Sequence, residues 1–382
     1  MRYTDIGKDI KKLGFGLMRL PRKDDQFDLE LLQKMVDIYL GKGFSYFDTS
    51  PVYGMTQSET IFGKLVAARY PREKFQIATK LPMWTLETPE EIPVKFENSL
   101  KALQVDYIDF YMLHGLSSVV SDRFPNSYLD KADRLGAWDF LKRMKAEGKA
   151  KHIGFSYHDS AEKLDEILSA HPESEFVQLQ INYADWEDDV IQARRCYEVA
   201  QKHGVAVVVM EPCKGGTLVE MRADVADVFK TYDAKASLAS WAIRYSASLD
   251  GIVTVLSGMS TMEQMLDNVG YMENFTPLTD EERNVIRTAK KKLEAVDTVG
   301  CTGCGYCLEG CPQQLRIPDL FRILNNQIIY GNKGDAYYRY KNLTSRTPKA
   351  SDCIACGCCE GACPQHLPVI SLLERTANTF EA

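Results

Sequence analysis

At 382 residues the chain is long for one domain. Its 53 acidic against 46 basic residues leave a net charge of -7 with no basic block, which argues against nucleic acid and anionic membranes as partners. The start, MRYTDIGKDIKKLG, has no apolar secretion segment, and the longest apolar run, VAVVVM, is far too short to span a bilayer, so a cytoplasmic protein without membrane attachment is expected.

In chain order, MRYTDIGKDI is expected to fold as a hairpin closing the bottom of a barrel. Short apolar strands then alternate with amphipathic helices. The strands read KLGFGLMRL, FSYFDTS, FQIATKL, YIDFYMLH, AKHIGFS, FVQLQINY, VAVVVMEP and GIVTVLSG. Helices are expected over Leu29–Leu40, Ser58–Tyr70, Pro89–Leu103, Leu135–Glu147, Ala161–Ala170, Val190–His203, Leu238–Ser246 and Thr261–Met272. Eight strands, each followed by a helix, in about 260 residues suit an α/β fold of the (β/α)8 TIM-barrel type. A doubly wound open sheet is the rival, but no G-x-G-x-x-G follows the first strand.

Barrel chemistry sits where strands end. Those ends carry Asp48 after the second strand, Tyr53 in the next loop, Lys80 on the third and His114 on the fourth. A phenol titrates near 10, too high to give up a proton readily, and a nearby ammonium lowers that value. A carboxylate keeps the ammonium in place, and an imidazole orients a carbonyl or assists the proton. The four suit protonation of a carbonyl oxygen while hydride reaches its carbon. Any one of them alone reads as structural.

FDTSPVYG, ATK and YMLH closely resemble signatures of the aldo-keto reductases, over about residues 1–275. The resemblance implies the catalytic tetrad Asp48, Tyr53, Lys80 and His114, with Tyr53 as proton donor and acceptor. It implies an extended nicotinamide cofactor, NADP(H) or NAD(H), over the strand ends. Ser156 and Gln178 match residues that bond the carboxamide, although Tyr157 replaces the family's Asn. Met210 stands at the stacking position, and Lys214 in EPCKGG could approach the pyrophosphate or belong to an ordinary turn. Asp267 and Asn268 match an adenine-contacting pair. Gly258, Met259 and Gln264 stand where a Lys, a Ser and an Arg often grip a 2′-phosphate, which weakens a preference for NADPH. Trp84 resembles an active-site aromatic, with core packing as the alternative. The loop Leu116–Asp130 is expected to line the pocket. Cys213, at the mouth, reads as a buried inert thiol, with a reactive one as the alternative, and Cys196 as helix core.

PLTDEERNVIRTAKKKLEAVD opens with a Thr279–Glu282 capping pattern and reads as a linker helix within residues 276–299. Residues 300–382 hold C-x-x-C-x-x-C-x-x-x-C-P twice, at Cys301, Cys304, Cys307 and Cys311, then at Cys353, Cys356, Cys359 and Cys363. This is the spacing for two [4Fe–4S] clusters in which each fourth cysteine serves the other cluster. Cys301, Cys304, Cys307 and Cys363 are assigned to one, and Cys353, Cys356, Cys359 and Cys311 to the second. Disulfides suit a short secreted chain, and zinc favours two separated Cys pairs. Cys358 reads as a non-ligand. IPDLFRILNN and LPVISLLERTA each follow a Cys-Pro and read as amphipathic helices, so the region resembles the helical type of dicluster ferredoxin.

The expected protein is therefore an NAD(P)-dependent oxidoreductase for a small carbonyl or alcohol substrate, with clusters that exchange electrons with a redox partner protein. A carbonyl reductase with structural or oxygen-sensing clusters and a non-enzymatic electron-transfer subunit stay open as alternatives. Hydride carries two electrons and a cluster one, so a flavin is also an open expectation.

Overall fold

The computed structural model describes residues 6–117 and 127–382. The chain divides into two compact units, Met1–Cys213 with Ala239–Thr279, and Lys214–Leu238 with Asp280–Ala382. The second thus draws in a stretch that in chain order lies between two barrel strands.

The first unit is built on eight strands: β1 Leu13–Gly16, β2 Tyr46–Asp48, β3 Gln76–Pro82, β4 Ile108–Leu116, β5 Ala150–Tyr157, β6 Phe176–Gln180, β7 Ala206–Met210 and β8 Ile252–Ser257. They close into a parallel barrel in sequence order, β8 pairing back onto β1. The two-residue alternation of the strands gives the closed sheet two layers of side chains. Tyr46, Ala78, Phe110, Met112, Phe176 and Val208 fill the interior. Their neighbours Phe47, Ile77, Tyr111, Leu113, Val177 and Val209 join the shell that packs against helices. A strand register shifted by one residue would exchange the two layers.

The helices of this unit are α1 Leu29–Gly41, α2 Ser58–Phe62, α3 Glu91–Leu103, α4 Tyr128–Arg134, α5 Ala137–Ala146, α6 Ala161–Ala170, α7 Ala193–His203, α9 Leu238–Ala247 and α10 Met262–Met272. Side-chain caps start several of them; Asp28 accepts from the Leu31 N–H at 2.9 Å at the head of α1. Of the loop expected over Leu116–Asp130, residues 118–126 lie outside the described residues, and its end forms the start of α4. The hairpin expected over residues 1–10 lies partly outside them too. Residues 6–10 form turns, with Ile6 and Ile10 packed into the barrel interior.

The second unit contains α8 Ala223–Tyr232, α11 Asp280–Glu294, α12 Tyr306–Glu309, α13 Ile317–Tyr330, α14 Lys333–Thr344, α15 Cys358–Ala362 and α16 Val369–Phe380. The cysteine repeat is a structural repeat. Gly305 and Gly357, at φ 80 and 81, open α12 and α15 in a backbone conformation that suits glycine. Beyond each Cys-Pro, Gln314 and His366 share φ values of 53 and 51, and α13 and α16 come next. Leu320, Phe321 and Leu324 of α13 meet Val369 and Leu373 of α16 in one apolar core.

Arg222 ties α8 into this unit. Its guanidinium donates to the Ile329 carbonyl at 2.9 Å and the Lys292 carbonyl at 3.3 Å, near the ends of α13 and α11. Its own N–H donates to the Tyr330 carbonyl at 3.0 Å. A cation suits helix C-termini, whose last carbonyls lack intrahelical donors. Arg222→Ala should therefore destabilise the second unit by about 2 kcal/mol, read as a lower urea midpoint.

Candidate active site and cluster cysteines

β2, β3 and β4 are neighbours in the barrel, and their register sets Asp48 opposite Ala78 and Lys80 opposite Met112. Three of the four predicted tetrad residues therefore start from adjacent strands, and the turn after β2 carries the fourth. The Lys80 ammonium, fully buried, donates to Asp48 Oδ1 at 2.6 Å and to the Thr49 carbonyl at 2.8 Å. It also lies 4.7 Å from the centre of the Tyr53 ring. The Tyr53 hydroxyl stands 3.4 Å from His114 Nε2, and Ser50 Oγ stands 3.3 Å from His114 Nδ1. The Trp84 ring packs 4.7 Å from the His114 ring, centre to centre.

Burial works against the Lys80 ammonium, yet Asp48 and Tyr53 outweigh it and hold the group above its ordinary value. Burial raises Tyr53; Lys80 pulls the other way, as the sequence implies, but Asp48 and Glu211 reinforce burial and the net shift is upward. His114 is held well below its ordinary value by burial, then by the charges of Lys80 and His158. The site at neutral pH thus offers a protonated phenol, an ammonium and a neutral imidazole.

The predicted cofactor residues are more scattered. Ser156, buried in β5, accepts from the Gly115 N–H at 2.8 Å. Gln178 donates from Nε2 to Asp48 Oδ2 at 3.1 Å, so it also braces the carboxylate. Met210 closes β7 against the barrel interior. On α10, beside Asp267, Asn268 donates to Ser257 Oγ at 2.6 Å and accepts from the Tyr271 hydroxyl at 2.7 Å. Met259 is buried, and Gln264 accepts from the Ser260 N–H at 2.7 Å. Lys214 belongs to the second unit, where its ammonium lies 5.7 Å from the Tyr330 ring centre. Burial pushes the Cys213 and Cys196 thiols up to about 12, far from the thiolate form that reacts.

Three charged or titratable groups escaped the sequence reading. Glu211, just past β7, adopts φ 55, uncommon for a residue other than glycine, and its carbonyl accepts from Asn182 Nδ2 at 3.1 Å. Arg19, in the loop after β1, lies alongside Gly258. His158 comes directly after β5. Each stands at or just beyond a strand's C-terminal end, and that position was the available signal.

In the second unit the eight motif cysteines part into two hollows. Cys301, Cys304, Cys307 and Cys363 line one, with Pro318, Phe321, Leu367 and Val369 among its walls. Cys311, Cys353, Cys356 and Cys359 line the other, walled by Leu315, Ile354, Ile370 and Leu373. Each hollow takes three cysteines from one run and the fourth from the other. Cys358 lines neither. The Leu315 N–H points at Cys311 Sγ at 3.4 Å, a donor placed for a thiolate sulfur. Among the described residues, no three His, Cys, Asp or Glu side chains converge as ligands of a single ion. A cube holds its four ligands apart at its corners, and four cysteines around an apolar hollow fit that group.

The profile of the Aldo/keto reductase family matches residues 12–291, and that of a 4Fe-4S dicluster domain matches residues 300–367. A probable aldo-keto reductase 1 of Glycine max is 30% identical over 219 residues, covering 55% of this chain and 58% of that protein. The chain thus spans less than two thirds of that relative. The L-galactose dehydrogenase of Arabidopsis thaliana is 26% identical over 257 residues, 59% of this chain and 73% of that protein. An aldo-keto reductase of Bacillus halodurans in its holo form superposes with a TM-score of 0.58 at 25% identity, covering 74% of this chain and 94% of that one. A Klebsiella pneumoniae aldo/keto reductase in complex with NADP and acetate gives a TM-score of 0.58 at 16% identity, over 75% of this chain and 94% of that one, a likeness of fold. Among the described residues, no helix is long and apolar enough to cross a membrane.

Proposed function

Since the chain belongs to the aldo-keto reductase family and carries a 4Fe-4S dicluster domain after its barrel, we propose that it reduces a small carbonyl compound with NAD(P)H. The observation that carries this reading is the buried Lys80–Asp48 pair at 2.6 Å beside the Tyr53 hydroxyl and His114. A bound nicotinamide nucleotide supplies hydride. Tyr53 gives its proton to the carbonyl oxygen, becoming phenolate, and the product is an alcohol. Lys80 stabilises the phenolate left behind, and Asp48 keeps Lys80 charged and fixed. His114, neutral, holds the carbonyl oxygen by Nε2. Ser156 and Gln178 are assigned to the carboxamide, Met210 to the ring face, and Asp267 and Asn268 to the adenosine end. Arg19 adds a cation there that suits a phosphate.

Carbonyl-dependent oxidation of NADPH or NADH, with no other electron acceptor, tests the reading; an anaerobically purified protein inert towards a panel of aldehydes and ketones would overturn it. His114 stays neutral above the ordinary histidine value of 6.5, and Tyr53 stays protonated up to and beyond the ordinary phenol value of 10. The reduction rate should therefore be level between those two pH values and fall only above the higher one. A break near neutral pH in kcat would contradict these protonation states.

Cys301, Cys304, Cys307 and Cys363 are assigned to one [4Fe–4S] cluster, and Cys311, Cys353, Cys356 and Cys359 to a second. Such clusters pass electrons one at a time. The partner that this chemistry calls for is a one-electron carrier protein. Adding NAD(P)H under anaerobic conditions and following the clusters' visible absorption tests for exchange with the barrel. Chromophore released on denaturation reveals any flavin that mediates it.

A further inference from the structure

The turn that carries Tyr53 meets both ring nitrogens of His114. Asp48 ends β2 facing Lys80, and the next side chain, Thr49, turns away to Ser58, Oγ1 to Oγ at 2.7 Å. The two-residue alternation brings Ser50 back to the Asp48 side, where its Oγ stands 3.3 Å from His114 Nδ1. The chain then turns with Pro51 at the second position, closed by the Tyr53 N–H donating to the Ser50 carbonyl at 3.0 Å. Tyr53 thereby sets its hydroxyl 3.4 Å from Nε2 of the same ring. Ser50 is fully buried, so its hydroxyl has no solvent to bond. The oxygen accepts from the Val52 N–H at 3.5 Å. Among the described residues, the one acceptor within reach of its hydrogen is His114 Nδ1. A buried hydroxyl whose hydrogen finds no acceptor is costly, which favours donation to Nδ1.

We propose that Ser50 is a positioning residue, donating to His114 Nδ1 and so fixing the tautomer in which Nε2 carries the ring hydrogen. The inference rests on the carbonyl-reductase reading above and deepens it. A neutral imidazole has one N–H and one lone pair, and its two tautomers do opposite things at Tyr53. With the hydrogen on Nε2, that N–H donates to the phenol oxygen or to a carbonyl oxygen beside it. The phenol hydrogen then stays free for the carbonyl. With the hydrogen on Nδ1, Nε2 becomes an acceptor. It takes a hydrogen bond from the Tyr53 hydroxyl, tying up the proton that reduction consumes, and its lone pair repels a carbonyl oxygen. The Trp84 ring, packed 4.7 Å from the imidazole, holds it on a further side. A Ser50 that served only its own turn, accepting from Val52, would leave either tautomer open.

Nitrogen-15 labelling of histidine reports the tautomer directly, without turnover. The chain has six histidines, and the His114 signals are those that vanish in His114→Gln. The full-length protein with oxidised clusters should show Nδ1 unprotonated and hydrogen-bonded, and Nε2 protonated. In Ser50→Ala the Nδ1 resonance should move to the position of an unbonded imine nitrogen. In the same variant kcat for propionaldehyde should fall about ten-fold, with KM and NADPH binding by fluorescence nearly unchanged. Ser50→Thr, which keeps the hydroxyl, should largely restore kcat. A protonated Nδ1 in the unsubstituted protein, an Nδ1 resonance indifferent to Ser50→Ala, or an unchanged kcat overturns the role of Ser50 while leaving the reductase reading intact. An equal loss in a Ser50→Thr protein that binds NADPH normally overturns it too. If the added methyl keeps Ser50→Thr from folding, the nitrogen spectra decide. An unsubstituted protein inert towards propionaldehyde and other carbonyls removes both readings.

Discussion

Replacing Tyr53 with Phe should lower carbonyl turnover by about a thousand-fold, with nicotinamide-nucleotide binding nearly unchanged. Phe keeps the ring that packs beside Lys80 at 4.7 Å and removes only the hydroxyl that faces His114. The fold and the Lys80–Asp48 pair should therefore survive. What disappears is the proton. Neither neighbour is a good donor to the carbonyl oxygen. His114 is already deprotonated, and Lys80 is held protonated above its ordinary value by Asp48 and Tyr53. The readout is single-turnover oxidation of bound NADPH by a saturating aldehyde. A rate within ten-fold of the unsubstituted protein would mean that another group delivers the proton.

The parts of the site that could be read from the sequence share one property: they are local to a strand end. Asp48, Lys80 and His114 each close an apolar run, so the alternation that predicts the strand also predicts which side chain reaches the mouth. The barrel was legible in the count of eight strands each followed by a helix, and the meeting of Cys363 with the first cysteine run around one hollow was legible in the spacing of the two runs. What could not be read depends on partners far along the chain. Arg222 looks like any basic residue before a helix. Its meaning lies in carbonyls 70 and 107 residues away. The short α8 that it precedes was missed because the amphipathic α9 comes so soon after it and accounted for the helix after the seventh strand. Tyr53 shows a different limit. The ammonium expected to lower its pKa acts in that direction, but burial acts harder, and depth of burial is set by every element around the mouth. Gln178 likewise matched a cofactor contact by position, and only the closed barrel reveals that it reaches Asp48 across the interior.

Cys363→Ser and Cys301→Ser should damage the same iron–sulfur cluster, although the two residues lie in different runs. Cys363 lines the hollow of Cys301, Cys304 and Cys307, whereas its sequence neighbours Cys353, Cys356 and Cys359 line the other with Cys311. The unsubstituted protein, isolated without oxygen, should hold about eight irons, and either variant about four. The paramagnetic spectrum of the reduced protein separates the two cases. If each fourth cysteine serves the other run's cluster, the surviving signal in Cys363→Ser matches that in Cys301→Ser and differs from that in Cys353→Ser. If each run holds its own cube, Cys363→Ser instead matches Cys353→Ser. Cys358→Ser supplies the control, since that thiol lies within the second run but lines neither hollow, and its loss should leave the iron content unchanged. The cross arrangement also has a mechanical consequence. Each cube would join the residues before α13 to those before α16, whose apolar faces already form one core. Loss of either cluster should then loosen the whole repeat, so both variants should melt earlier by circular dichroism, whereas clusters confined to single runs would weaken only their own half.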